Sequence, residues 1–273
     1  MATLPNPLPA LTVDPTGRSA GLALPPGTLV DATHDGRWHE PLLWYADEPA
    51  SPDAWAGLLS ARKAVGLHPV LIHGGSRDHW PEEWELSPDM ASYAGDHDAE
   101  EVLADFWEEY AEEELGEDSA IEPFGPEWPG LAASPSPQAD PDVRAAEVAA
   151  DLADEDSWMR GARMALVPAR RSADIPAAIG WTGPLNYEND VARLCAVLRS
   201  WEDRFGIRVV ALSFDQLVLS VASPPTTMTE AEAVAAEHFA FCPDSITQND
   251  HDTLRAYAAR DVLGRQSWSF WWD

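Results

Sequence analysis

The chain closes on Trp268-Ser269-Phe270-Trp271-Trp272-Asp273, and this run constrains the fold more than any other stretch. Side chains of an extended strand alternate between faces, so Trp268, Phe270 and Trp272 share one face and Ser269, Trp271 and Asp273 the other. A terminal segment frays unless it is tied down, and apolar rings gain by leaving water. The run is therefore expected to be a paired sheet strand whose aromatic face seals a core.

The segments before it read as strands and helices that such a strand could join. Met164–Val167 is a short apolar strand. Asp190–Phe205 has Val191, Leu194, Cys195, Leu198 and Trp201 on one helical stripe, with Gly206 as its stop. Ile207–Ser213 and Leu217–Ala222 flank Phe214-Asp215-Gln216 as a hairpin. Thr229 followed by Glu232 gives a capping-box spacing for a helix running to about Phe241. Asp250–Leu263 is the last helix, broken by Gly264. The expected fold class is α+β, a mainly antiparallel C-terminal sheet with helices on one face.

The first part has a different character. Residues 1–26 are Pro/Gly-rich and read as an irregular arm. Thr28–Val30 and Leu42–Tyr45 are short strands, and Pro69–Ile72 is another. Ser51-Pro52-Asp53 begins a helix between the last two, with Ser51 as its cap, and Gly66 ends it. This predicts a β-α-β unit with parallel strands. His73-Gly74-Gly75-Ser76 follows, at the kind of strand end where α/β sheets bind ligands. No Gly-x-Gly-x-x-Gly pattern and no Lys-Ser/Thr accompanies it, so a tight turn is the plainer reading.

Charge divides the chain sharply. Residues 1–158 hold 33 acidic and 6 basic residues, net −27, whereas residues 159–273 hold 14 and 11, net −3. From Asp98 to Asp118 eleven residues are acidic and none is basic. Leu103, Phe106, Trp107 and Tyr110 still mark one apolar face, so this segment is expected to be a docked helix showing acid outward. A merely solvated face is the plainer outcome for such a run; a partner-facing one is the sharper. Residues 116–141 are Pro-rich and read as linker, with a helix over Asp142–Ala153. The expected partition is an acidic α/β part over 1–115, a Pro-rich acidic linker with a short helix over 116–158, and an α+β domain over 159–273.

Composition narrows the classes. At net charge −30 the chain lacks the basic surface that phosphate neutralisation requires, so no nucleic-acid partner is expected, and anionic membrane surfaces are disfavoured. Basic proteins and cations are the natural counterparts. Cys195 and Cys242 are the two cysteines; they make no disulfide framework or Cys-x-x-Cys site and suit a reducing compartment. The first residues show no signal-peptide pattern, and no apolar run approaches the roughly 20 residues of a membrane helix. A cytoplasmic location is expected.

Several separated motifs occur in order over roughly residues 163–273: Gly180-Trp181-x-Gly183-x-x-Asn186, Trp201-Glu202-x-Arg204-Phe205-Gly206, Pro224-Pro225, Glu237-His238-Phe239-x-Phe241-Cys242-Pro243-Asp244, Gln248, and the closing Trp268-x-Phe270-Trp271-Trp272-Asp273. Together they resemble a bacterial domain of unknown function, family 4253, and the acidic first part resembles the N-terminal extension of its members. The resemblance brings no activity with it. Its context suggests kinship with small soluble proteins near contact-dependent toxin systems, an associational hint.

Within these motifs His238 and Cys242 lie four apart, on one face of a helix, with Glu237 and Asp244 close in sequence. A zinc site needs three or four converging ligands; the alternative is that Phe239 and Cys242 pack inward while His238 takes a hydrogen bond. Either cysteine could serve as a nucleophile, but apolar helical contexts usually hold inert thiols. Glu202 with Asp215 or Glu237 could form a carboxylate pair, whose separation sequence cannot give. His73, His79 and His97 with Asp96 and Asp98 form a looser group that reads as surface. Trp38, Trp80, Trp84 and Trp128 sit in polar or Pro-rich segments, where they either anchor a partner or pack loops onto the body.

No catalytic residue, metal set or cofactor is assigned from the sequence. The leading expectation is an acidic protein-binding module, immunity- or inhibitor-like, that meets a basic protein through Glu108, Glu109, Glu112 and Glu113 and a Trp-bearing surface including Trp271. The alternative is a hydrolase-type enzyme with a pocket around Trp181, Asn186, Asp215, Glu237 and His238.

Overall fold

The computed structural model describes residues 5–111, 121–248 and 253–272. Its strands are β1 (Gly27–Val30), β2 (Ala32–Thr33), β3 (Gly36–Arg37), β4 (Leu43–Ala46), β5 (Leu67–Ile72), β6 (Arg163–Pro168), β7 (Ile207–Leu212), β8 (Gln216–Val221) and β9 (Ser267–Trp271). β2 and β3 pair by themselves, and the other seven form one sheet in the order β1-β4-β6-β5-β7-β8-β9. Every pairing is antiparallel except β5 with β7. The helices are α1 (Ala54–Val65), α2 (Ala99–Ala111), α3 (Pro141–Leu152), α4 (Ile175–Ile179), α5 (Val191–Phe205), α6 (Met228–Phe241), α7 (Asp244–Thr247) and α8 (Leu254–Tyr257), the last running into a π turn over Ala258–Val262. The α+β class follows from this arrangement.

The β-α-β unit forms with its two strands parallel, and β6 is inserted between them. β4 and β5 both run antiparallel to β6 and so parallel to each other, but β6 lies between them. Its Met164–Val167 segment is buried on both sides, and it matches β5 over six residue pairs, from Leu67↔Pro168 to Ile72↔Arg163. An apolar run with no polar face belongs in the middle of a sheet. The partition at residue 158 is therefore a boundary of charge, while the sheet interleaves strands from both sides of it. One core cluster likewise joins Leu43, Val70, Trp107, Val167, Trp201 and Phe270.

The helices of residues 163–273 lie on one face, as expected, and helices from the first part cover the other. α2, α4, α5 and α6 cover the face carrying Val70, Ile72, Val167, Val209, Leu219 and Phe270. On the reverse face α1 and α3 bury Trp55, Ala145 and Val148 against Leu71, Met164, Ala211 and Val218. The arm reaches that face as well, where Leu8, Leu11, Leu22 and Leu24 pack with Trp44, Leu67 and Leu166. Because central strands are apolar on both sides, both sides need cover. In β7 the register steps from Val209↔Leu219 to Ala211↔Val218. This bulge puts Val210 and Ala211 on the reverse face together and returns Leu212 to the first.

β9 meets the expectation drawn from its alternation. It is an edge strand paired antiparallel to β8, with Trp268, Phe270 and Trp272 buried, Ser269 exposed and Trp271 half-buried. Phe270 stacks on Trp201 of α5 at 5.5 Å and 17°, and Trp268 lies edge-on to Trp201 at 5.6 Å. Burying Phe270 alone is worth about 1.5–3 kcal/mol. Beneath these rings runs α6, buried from Val234 to Phe241.

Two helix starts differ from the sequence reading. α6 is capped by Thr227 and Glu230, two residues before the expected box, with Thr227 Oγ1 accepting from the Glu230 N–H and the Glu230 carboxylate accepting from the Thr227 N–H. The pattern Thr-x-x-Glu occurs twice here, two residues apart, and the first occurrence makes the box. α1 begins after Asp53, and no side chain caps it. The expected start of the last helix at Asp250 lies outside the described residues.

Gly180 and Gly183 acquire a physical reason. Gly180 ends α4 at φ +63°, and a Cβ there would sit 2.1 Å from the Pro88 backbone nitrogen. The Ser87 N–H donates to its carbonyl at 2.7 Å. A Cβ on Gly183 would meet the Trp181 ring at 2.1 Å. Only glycine admits such close approach.

Candidate functional site

Glu237, on α6, is fully buried, and its carboxylate is saturated. The Arg204 guanidinium donates to Oε1 at 2.7 Å and Oε2 at 2.5 Å, Trp201 Nε1 donates to Oε2 at 2.7 Å, and the Ala132 N–H donates to Oε1 at 2.7 Å. Arg204 also donates to the Ala132 carbonyl at 2.8 Å. A paired carboxylate with four donors around two oxygens has no acceptor capacity left for a substrate proton. What it does is hold Ala132, from the Pro-rich segment, against α5 and α6. Gln138 Nε2 donates to the Pro224 carbonyl at 2.8 Å, and Trp107 Nε1 to the Pro126 carbonyl at 3.1 Å. The described part of the expected linker is thus a strap bonded along its length to the body. Glutamate with a distant arginine carries no local sequence signal for such a contact.

His238 is equally buried. Its Nδ1 lies 3.0 Å from the Tyr257 hydroxyl, and its ring sits 4.5 Å from Trp268 and 4.9 Å from Phe270. Burial, helped by the nearby Arg204 charge, lowers its pKa to about 3, so it is neutral at physiological pH. The Cys242 thiol donates to the Trp271 carbonyl at 3.0 Å and accepts from Ser245 Oγ at 3.2 Å. Burial pushes it up to about 12, and burial likewise raises Cys195. Burial thus disfavours the thiolate at both positions, and the thiolate is the nucleophilic form. Among the described residues no three His, Cys, Asp or Glu side chains converge as metal ligands.

The remaining expected residues fall in different places. Trp181 Nε1 donates to the Ser213 carbonyl at 2.9 Å, and its ring meets Trp272 edge-on at 5.5 Å. Asp215 accepts from Ser213 Oγ at 2.9 Å, and its carbonyl takes the Trp272 N–H at 3.1 Å. Trp181 and Asp215 therefore meet at the β7–β8 turn, where they fasten the end of β9. Asn186 is exposed on the loop before α5, and half-buried Trp271 offers its carbonyl to Cys242. A cavity of about 510 Å³ exists elsewhere, and none of these residues lines it.

α2 presents the acidic face. Asp98 starts it by accepting from the Glu100 and Glu101 N–H groups. Val102, Leu103, Phe106, Trp107 and Ala111 are buried, with Trp107 against Phe239 of α6 at 5.5 Å. Arg193 of α5 clasps the helix from the side, bonding Asp105 at 2.8 Å and Glu188 at 2.6 Å and lying over Phe106 at 4.9 Å. Glu100, Glu101, Glu108 and Glu109 are exposed. Glu112 and Glu113 lie outside the described residues.

Arginines elsewhere are drawn into similar pairings. Arg62 and Arg208 converge on Asp142, Arg171 bonds Glu202 and Asp203, and Arg199 bonds Asp174. The consequence is electrostatic: many positive charges are matched at partly buried positions, and unmatched acid is left facing water.

Two arrangements were missed from sequence. Ser92 Oγ lies 2.6 Å from His97 Nε2, and Asp190 Oδ2 lies 3.6 Å from the same nitrogen. A nucleophilic relay needs the carboxylate on the opposite ring nitrogen, so this trio is a bracket between the 92–97 loop and the start of α5, where Asp190 also caps Ala192. Secondly, Trp158 is 56% exposed and meets His73 edge-on at 6.4 Å. Trp84 is fully buried, while Trp38, Trp80 and Trp128 pack partly against the core. The His73-Gly74-Gly75 segment is a turn, with Gly75 at φ +64° and its N–H on His73 Nδ1 at 3.2 Å.

Fold and site together define an α+β protein whose C-terminal half is locked by a tryptophan-rich edge strand and a buried Arg–Glu–Trp clasp. Residues 163–273 match the family model DUF4253, a domain of unknown function. No curated protein and no solved structure matches the chain. Among the described residues no helix is long and apolar enough to cross a membrane.

Proposed function

We propose that this chain is an acidic protein-binding module, cytoplasmic and of the immunity or inhibitor kind, that engages a basic protein. The observation that carries it is α2: one side is fixed in the core by Trp107 and Phe106, while Glu100, Glu101, Glu108 and Glu109 stand exposed on the other. A rigid acidic face held by a packed helix needs no ordering on binding, which lowers the cost of association. Such a face speeds encounter with a basic surface and makes the complex sensitive to salt. The burial of Glu237 and His238 weighs against the hydrolase reading, since neither carboxylate nor imidazole is open to a substrate.

The test is capture from the native cytoplasm with three tagged proteins: wild type, a variant with those four glutamates changed to glutamine, and a control with Asp154→Asn, Glu155→Gln and Asp156→Asn. The expected result is a basic protein retained in near-stoichiometric amount by wild type and control, absent from the α2 variant, and released as salt rises. Equal loss from both variants would reduce the effect to general charge. Retention by the α2 variant would remove α2 from the interface.

A further inference from the structure

The cavity of about 510 Å³ lies between the arm, the end of α1, the 92–94 loop, the segment after β6, and α4. Its walls are mainly apolar, with Ala64 and Val65 from α1, Pro168 from the end of β6, and Ala177 and Ala178 from α4. Three charged side chains reach the lining, Arg170, Asp174 and Arg199, and each is already engaged. Arg199 gives Nε to Asp174 Oδ1 at 2.5 Å and Nη2 to Oδ2 at 3.0 Å. It also bonds Tyr93, and its guanidinium lies over that ring at 5.2 Å. Arg170 has a partner of its own. Asp174 is 9% exposed, so its pair with Arg199 is largely withdrawn from water.

The size is that of a small-molecule site, which typically has apolar walls and a few placed polar groups. The pairing of those groups decides the charge of the ligand. A carboxylate would find both guanidiniums engaged, and an ammonium would find Asp174 held by Arg199 through both oxygens. Either ion would give up hydration on entry and gain no counter-ion in return. An uncharged molecule has little hydration to lose and gains the apolar walls. We propose that this cleft binds a neutral, mainly apolar small molecule, an uncharged compound with an aryl or alkyl body. The body contacts the alanine, valine and proline walls, and the Arg199–Asp174 pair stays closed beside it. No residue of α2 lines the cleft, so this site is independent of the acidic face.

The test uses the full chain and three probes of similar shape: the ketone 5-phenylpentan-2-one, 4-phenylbutyrate and 4-phenylbutylamine. They are titrated by calorimetry and by ligand-observed NMR at physiological salt, where attraction of the amine to the chain's net charge of −30 is screened. The expected result is saturable binding of the ketone, with both ions about tenfold weaker or more. Binding of the ketone should not fall as salt rises, because no charge is matched. Ala178→Phe, which fills the cleft from α4, should abolish binding while circular dichroism stays unchanged. Ala64→Phe fills it from α1 at an exposed position and serves if the first variant fails to fold. No saturable binding of the ketone, equal or tighter binding of either ion, or full binding by a folded cleft-filled variant would each overturn the proposal.

Discussion

Buried histidines give this protein a pH dependence of definite sign. His238 falls to about 3 through burial, and His68, also buried and near Arg62 and Arg208, falls to about 4. In the unfolded chain both titrate near 6.5. Between these limits the unfolded state binds protons that the folded state refuses, so stability is complete above about pH 6.5 and declines as pH falls toward 4. Each histidine adds up to about 1.4 kcal/mol per pH unit to that slope. The expected outcome, in urea titrations from pH 7.5 to 4.5, is a decline that becomes shallower in His238→Gln by about one proton's worth. An unchanged slope would mean that His238 stays charged or exposed.

Among the elements, β9 gives the sharpest contrast between neighbours. Phe270 stacks on Trp201 in the core, whereas Ser269 points to water. Phe270→Ala should cost about 3–5 kcal/mol, and Ser269→Ala should stay within about 0.5 kcal/mol, both read from chemical denaturation. Comparable effects would mean that the strand's register is shifted by one, which exchanges the faces. The register itself was legible in the sequence, because alternation in a six-residue run has only two phases. So were α5, through its stripe from Val191 to Trp201, and α2, through Phe106 and Trp107. The start of α6 was not, because Thr227 and Thr229 each precede a glutamate by three. Nor was the role of Glu237: beside His238 and Cys242 it suggested chemistry, and only the approach of Arg204 and Ala132 shows it to be a clasp.

At the scale of the whole molecule, the interleaved sheet makes the segment matching the family model an incomplete folding unit. Cut out as residues 163–273, it would keep β6 and β7 but lose β5, which lies between them and bonds to both. Expressed alone it should lack the sharp near-ultraviolet dichroism of its tryptophans and bind hydrophobic dyes; co-expressed with residues 1–162 it should recover a native spectrum. A native spectrum for the isolated segment would contradict the shared core. This organisation escaped the sequence for a physical reason. Composition changes near residue 158, and charge reports on surface, whereas the pairing of β5 with β6 is a long-range choice between apolar runs that look alike.

The position of β6 also has a consequence in time. On the ribosome β4 and β5 emerge first, yet the strand that joins them is specified about 90 residues later. At 5–20 residues per second that is roughly 5–20 seconds during which two apolar strands exist without the neighbour they share. The segment synthesised in that interval carries most of the chain's negative charge. Like charge on neighbouring nascent chains opposes the approach of unpaired strand edges.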